Sequence, residues 1–225
     1  MLKNFKRYKY KWVIISCIMF KGLHVFLIVL SILFCVMSTQ NIDENINQGG
    51  FFILFGTLWS ALEVQIEGEN GWASKLPTTS FFGTHFTWYH AIMNVMIFVL
   101  VFKVVSFSWA LPFWLASLFL IEDYMWFMIN PEYGFEKYSA EYVSWHKWVL
   151  KMPLGNWLSF TIMLGASFVT FFRDDDATLF IMDGIITGYL LIATVINIIV
   201  MGPVKHNDRT DTSAKIPVSK ASILF

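Results

Sequence analysis

An all-α, polytopic membrane bundle of about six transmembrane helices, with both termini cytoplasmic, is the fold class this sequence predicts. Three observations lead there. Of 225 residues, 56% are hydrophobic and only 14% charged, with a mean hydropathy of +0.58, whereas soluble domains carry about 25% charged residues. The apolar residues gather in runs near the ~20-residue length that a spanning helix needs. Lys and Arg concentrate on alternate connections, as the positive-inside bias requires. The formal net charge is +0, and no basic stripe with interleaved aromatics exists, so nucleic acid is not an expected partner. Cys17 and Cys35 both fall in the first apolar segment, which argues against a disulfide framework.

The elements follow in order. Residues 1–16 form a basic cytoplasmic head, with Lys3, Lys6, Arg7, Lys9 and Lys11. The first span covers about 17–37 and is interrupted by Lys21 and His24; a cleaved signal peptide competes, but FCVMSTQN lacks a small-x-small cleavage pattern. The second, about 51–67, follows NQGG, read as a turn, and ends at Gly68. It is short enough to re-enter rather than cross. The third covers about 86–107, and the fourth about 109–130, where Pro131 stops it. The fifth runs about 154–172 and the sixth about 177–201, closing at Gly202-Pro203. Residues 17–201 thus make one membrane domain, and 202–225 a polar, flexible tail. No internal repeat of the kind found in many carriers stands out.

Orientation comes from the basic head and from Lys75, Lys137, Lys147, Lys151, Lys205, Arg209, Lys215 and Lys220, all predicted on one side. The 38–50 connection has no positive residue, and Arg173 stands beside Asp174, Asp175 and Asp176. A multi-pass protein of a bacterial-type inner or plasma membrane is expected.

With this topology the ionisable side chains converge on the cytoplasmic leaflet. The second span ends in Glu63 and Glu67, with Glu69 just beyond; the third begins with His85, Tyr89, His90 and Asn94; the fourth ends with Glu122, Asp123, Trp126 and Asn130. His146 follows in SWHKW. Glu63 and Glu67 share a helix face at i,i+4, as do His85 and Tyr89, while Asp123, Trp126 and Asn130 form one stripe. Carboxylates grouped in low dielectric repel or protonate unless compensated. A divalent metal held by a set drawn from Glu63, Glu67, His85, His90, Glu122, Asp123 and His146 is one solution, and mixed imidazole–carboxylate donors suit zinc, iron or manganese.

Plainer roles compete for several of these. Glu67, Glu69 and His85 fit the headgroup zone, and His146 between Trp145 and Trp148 fits an interfacial helix. Trp72, Trp88, Trp126, Trp145, Trp148 and Trp157 all fall toward the cytoplasmic side, first as an interfacial belt and second as the lining of an amphiphile groove. For Glu63, His90, Glu122 and Asp123 function is the default, because ionisable residues are costly inside a bilayer.

Established motifs are missing. There is no His-Glu-x-x-His and no Gly-x-Ser-x-Gly. Phe81-x-x-x-His85, Phe86-x-x-x-His90 and His90-x-x-x-Asn94 match fragments of the CAAX-type intramembrane protease pattern. They fall on one segment, without the Glu-Glu-x-x-x-Arg of that family, and define no resemblance. The expectation is generic: a membrane enzyme, hydrolase or transferase, acting on a lipid or other hydrophobic small molecule. Glu63, His90, Glu122 and Asp123 would be catalytic groups or metal ligands, and Lys75, Trp72, Tyr89, Trp126 and Asn130 would contact substrate. A proton-coupled carrier using the same carboxylates, an accessory subunit of a membrane complex, and a haem protein using His24 and His90 are the alternatives. Substrate and oligomeric state are not legible.

Overall fold

The computed structural model describes residues 25–38, 44–67, 78–81, 84–105, 108–130, 133–143 and 146–201, with no side-chain description for 67 and 78–88. Among the described residues six helices carry the fold: α1 (Val25–Ser38), α2 (Glu44–Glu67), α3 (Trp88–Val104), α4 (Ala110–Ile129), α5 (Leu154–Asp174) and α6 (Thr178–Met201). Four of them, α2, α4, α5 and α6, are long and apolar enough to cross a membrane; α1 and α3 are shorter apolar helices. The remainder of the first predicted span, with Lys21 and His24, lies outside the described residues.

Two boundaries depart from the sequence-based expectation. Helix α2 begins at Glu44 rather than at residue 51, so NQGG is helical and not a turn. The glycines serve contact instead. A Cβ on Gly49 would stand 2.0 Å from Met182 Cε and 3.1 Å from Trp114 Cη2, and one on Gly50 would stand 1.8 Å from Ser38 Oγ and 3.0 Å from Cys35 Cα. Small residues let membrane helices approach this closely, which offsets their poor helix propensity. The second span is therefore of full length. The third is shorter than expected, since Thr84–Thr87 form strand β2, paired antiparallel with β1 (Thr78–Phe81). Threonine-rich TTSF and THFT favour the extended backbone over the helix.

Helix α4 is central and packs against α2, α3, α5 and α6. Its Phe113, Trp114, Leu118, Ile121 and Met125 are fully buried. Contacts fix the directions of the helices. Gly56 of α2 lies against Ile121 and Leu118, and Ser60 Oγ donates to the Glu122 carbonyl at 2.8 Å, so α2 and α4 run parallel. Thr194 meets Tyr124, and Asn197 meets Met128, so α6 runs parallel to α4. Gln48 Nε2 donates to the Val104 carbonyl at 3.3 Å, bringing the end of α3 to the start of α2. One end of the bundle thus gathers the last turns of α2, α4 and α6 with the first turns of α3 and α5.

The connection from α4 to α5 covers that end. Asn130 leaves the helix extended, with ψ of 120°, as a residue before proline must. A 3-10 turn at Phe135–Lys137 follows, then the hairpin β3 (Trp148–Val149) and β4 (Met152–Pro153). At its tip Leu150 and Lys151 have φ of 47° and 66°, the backbone of a type I′ turn built without glycine.

Candidate functional site

The covered end holds a polar cluster drawn from α4, the connection, α5 and α6. Asp123 lies two turns before the end of α4. His146 comes from the connection and places Nε2 3.6 Å from Asp123 Oδ1, both side chains being roughly 30% exposed (31% and 28%). That spacing exceeds the 2.7–3.2 Å of an N–H···O bond, so the two groups face each other at a separation that roughly half an ångström of movement closes to a hydrogen bond. The chain around His146 is held by its own bonds. The His146 N–H donates to the Val143 carbonyl at 3.4 Å, Trp148 Nε1 donates to the same carbonyl at 2.8 Å, and the Leu154 N–H donates to the Lys147 carbonyl at 2.7 Å. The hairpin between them returns the chain directly into α5.

That return brings in Asn156, 2% exposed in the first turn of α5. Its Nδ2 donates to Tyr138 Oη at 2.8 Å, and its side chain also hydrogen-bonds Asp123. Burial pushes the Tyr138 hydroxyl above its ordinary value. The Asp123 charge and Tyr124 push the same way, against the Asn156 hydrogen bond. Tyr124 sits edge-on to Tyr138, with ring centroids 5.4 Å apart, and shares a 2.6 Å hydroxyl–hydroxyl bond with Thr194 of α6. Below these, Asn197 Nδ2 donates to the Met128 carbonyl at 2.7 Å, while its Oδ1 accepts the Phe135 N–H at 2.9 Å. One amide thereby caps the end of α4 and anchors the connection to α6.

A second group lies between α2 and α3. Glu63, only 6% exposed, lines a cavity of about 230 Å³ with Trp59, Leu62, Ile66, Tyr89, Ile92 and Met93. Tyr89 Oη and His90 Nε2 are 3.0 Å apart, and their rings are 4.0 Å apart.

The predicted site residues therefore divide. Asp123 and His146 meet; Glu63 and Tyr89 share a cavity; Tyr89 and His90 are bonded. Glu122 touches α2 through its backbone carbonyl. Trp126 packs against Phe127 and Tyr133, and Asn130 is buried at the α4 terminus. Among the described residues no three His, Cys, Asp or Glu side chains come close enough to hold a metal ion, so the single expected metal set does not gather there. Of that set, Glu67 and His85 have no described side chain, and the predicted substrate contacts Trp72 and Lys75 lie outside the described residues. Trp148 and Trp157, expected in the interfacial belt, both donate their indole N–H to carbonyls of the connection, Val143 and Val149.

Tyr124, Tyr138, Asn156, Thr194 and Asn197 were not foreseen. One signal was present: Asn197 is a lone amide within INIIVM, where an unsatisfied amide is costly. Tyr138 and Asn156 carried no such mark.

Fold and site together define a helical membrane protein with a carboxylate–imidazole contact at one end of its bundle. Comparison of the chain with protein-family models, with curated proteins and with solved structures finds no match.

Proposed function

We propose that the chain is an integral membrane enzyme that uses Asp123 and His146 for general acid–base chemistry on a lipid or other hydrophobic substrate, as a hydrolase or transferase. The contact between these two side chains, brought from a helix and a separate connection, carries the reading. A carboxylate facing Nε2 orients the imidazole, leaving Nδ1 to take or give the proton of a reacting group. Asn156 steadies Asp123 and Tyr138 together. The rings of Phe127, edge-on to His146, and of Tyr138 and Trp148, edge-on to each other, give the pair apolar surroundings suited to a hydrophobic substrate. Glu63, His90 and Glu122 belong to the same end of the bundle and act as flanking groups. The positive residues of the head and of the α4–α5 connection support a cytoplasmic position for this end and for both termini.

A zinc, iron or manganese ion in this reading would take Asp123 and His146 and need at least one more ligand, for which Glu67 and His85 are the remaining choices. Metal analysis of purified protein decides that point. For the chemistry, purified protein is incubated with membrane lipid extract and the products are read by mass spectrometry. The Asp123→Asn and His146→Gln variants should each lose about 10²–10⁴-fold of the turnover. Wild-type turnover in both variants would overturn the assignment.

A proton-coupled carrier is the second reading, favoured by one observation. Asp183, near the opposite end of α6, has a buried Oδ1 without a hydrogen-bond partner among the described residues. The Thr57–Tyr189 and Tyr124–Thr194 hydroxyl pairs, each at 2.6 Å, lie further along the same helix. Proton uptake by liposomes containing the protein, abolished by Asp183→Asn, would favour this reading over the enzyme.

A further inference from the structure

Just ahead of α5, the hairpin of β3 and β4 carries an exposed surface that the Asp123–His146 pair does not use. Its register, Trp148 opposite Pro153 and Val149 opposite Met152, sorts the side chains by face. Trp148 packs on Tyr138 and Pro153 is buried, so that face turns inward. Lys147, Val149 and Leu154 take the other face and are exposed. The tip adds Lys151 and Leu150, which is 83% exposed. In water such a tip ordinarily takes glycine, asparagine or aspartate, and an outward leucine there only exposes apolar surface. Two hydrogen bonds fix the hairpin to α5: the Leu154 N–H donates to the Lys147 carbonyl at 2.7 Å, and Trp157 Nε1 donates to the Val149 carbonyl at 2.8 Å. Leu154, Trp157 and Leu158 begin the exposed side of α5, one of the four helices able to cross a membrane. The hairpin therefore continues that apolar side past the helix end, at the depth where a spanning helix leaves the hydrocarbon. Among the described residues neither Lys147 nor Lys151 is in an ion pair.

We propose that the hairpin tip dips into the adjoining leaflet and binds an anionic phospholipid, with Val149 and Leu150 among the upper acyl chains and Lys147 and Lys151 on the phosphate. The surface and this ligand match part for part. Two lysines without a carboxylate partner flank an aliphatic tip, and an anionic phospholipid joins a phosphate to acyl chains. Each lysine lays its four-carbon stem along apolar surface while its ammonium reaches up to the headgroup. A zwitterionic phospholipid fits less well, because it brings an ammonium of its own beside the phosphate. A phosphate free in solution leaves Leu150 without a role. One lysine near an anionic membrane surface strengthens binding about fivefold, so the two together give a preference well above tenfold. Insertion of the tip also removes from water the leucine that the turn holds outward.

The test is photolabelling of the full chain in phosphatidylcholine nanodiscs that contain a trace of phosphatidylglycerol with a diazirine near the glycerol end of one acyl chain. Matched phosphatidylcholine with the same diazirine is used in parallel, and adducts are located by mass spectrometry of peptides. Residues 149–158 should be labelled at least tenfold more by the anionic probe than by the zwitterionic one. The double variant Lys147→Gln, Lys151→Gln should lower the anionic labelling to the zwitterionic level, whereas Lys147→Arg, Lys151→Arg should keep it. Leu150→Asp, at an exposed tip where folding tolerates the change, should lower labelling of the segment by both probes. The readout is lipid contact and not turnover, so it stands apart from the proposed chemistry. The proposal is overturned by equal labelling from the two probes, by wild-type labelling in the double glutamine variant, or by the absence of adducts in the segment. Loss of the anionic adduct on adding soluble glycerol phosphate would also overturn it, by assigning the lysines to a free phosphate.

Discussion

Replacing Gly50 by alanine should destabilise the protein, although alanine is the better helix former. The added methyl meets Ser38 Oγ at 1.8 Å, Ser38 Cβ at 2.7 Å and the Cys35 Cα at 3.0 Å. The Ser38 hydroxyl is itself engaged, donating to the Cys35 carbonyl at 2.8 Å, and a backbone atom does not swing aside, so α1 and α2 must part. Overpacking of a well-filled interface costs about 1–3 kcal/mol, and these contacts belong in the upper part of that range. Alanine returns about 1 kcal/mol of helix propensity. The net loss is then about 1–2 kcal/mol, or a midpoint lower by roughly 2–8 °C for a chain of this size. Thermal unfolding in detergent, followed by tryptophan fluorescence, reads it. Gly165→Ala and Gly188→Ala are the controls, since a Cβ at either position meets nothing within 4 Å, and both should unfold at or slightly above the wild-type temperature. A Gly50→Ala protein as stable as those controls would refute the close α1–α2 contact and with it the early start of α2.

Three further outcomes follow from the covered end. Asn197→Leu leaves the Met128 carbonyl and the Phe135 N–H without their amide partner, which should cost about 2–4 kcal/mol and speed amide exchange at Phe135. Lys151→Gly relieves a left-handed non-glycine residue at the hairpin tip and should stabilise by about 0.5–1 kcal/mol in the same unfolding assay, after the entropy that glycine adds to the unfolded chain. Tyr138→Phe tests the raised hydroxyl: above about pH 10 an unfolded tyrosine releases a proton that the folded one keeps, so wild-type stability should fall there by up to about 1.4 kcal/mol per pH unit. The phenylalanine variant should lack that part of the alkaline loss, and identical alkaline profiles would contradict the buried position of the hydroxyl.

The helices were legible because a bilayer demands long apolar runs, and α4, α5 and α6 lie within two residues of their expected limits. The start of α2 was not, because Gly49 and Gly50 are ambiguous in one dimension. Two adjacent glycines mark a turn in water and a close helix contact in a bundle, and only the facing Met182 and Ser38 decide between them. The convergence of Glu63, His90, Asp123 and His146 on one end was readable from helix direction alone. Which of them meet was not. Glu63 lies on α2 beside the groove shared with Tyr89, whereas Asp123 turns toward the connection and α5, a choice set by rotation of α4 about its axis. Asn156 escaped notice because its partners, Tyr138 and Asp123, reach it only after the connection folds back through the hairpin.

Nitrogen-15 NMR of histidine-labelled protein in micelles, with the imidazole signals assigned by single substitutions, reaches the Asp123–His146 contact most directly. Converting Asp123 to asparagine should move the Nε2 resonance of His146 and leave that of His90 in place. A His146 signal indifferent to that change would mean the imidazole does not face the carboxylate, and the catalytic pair would be lost.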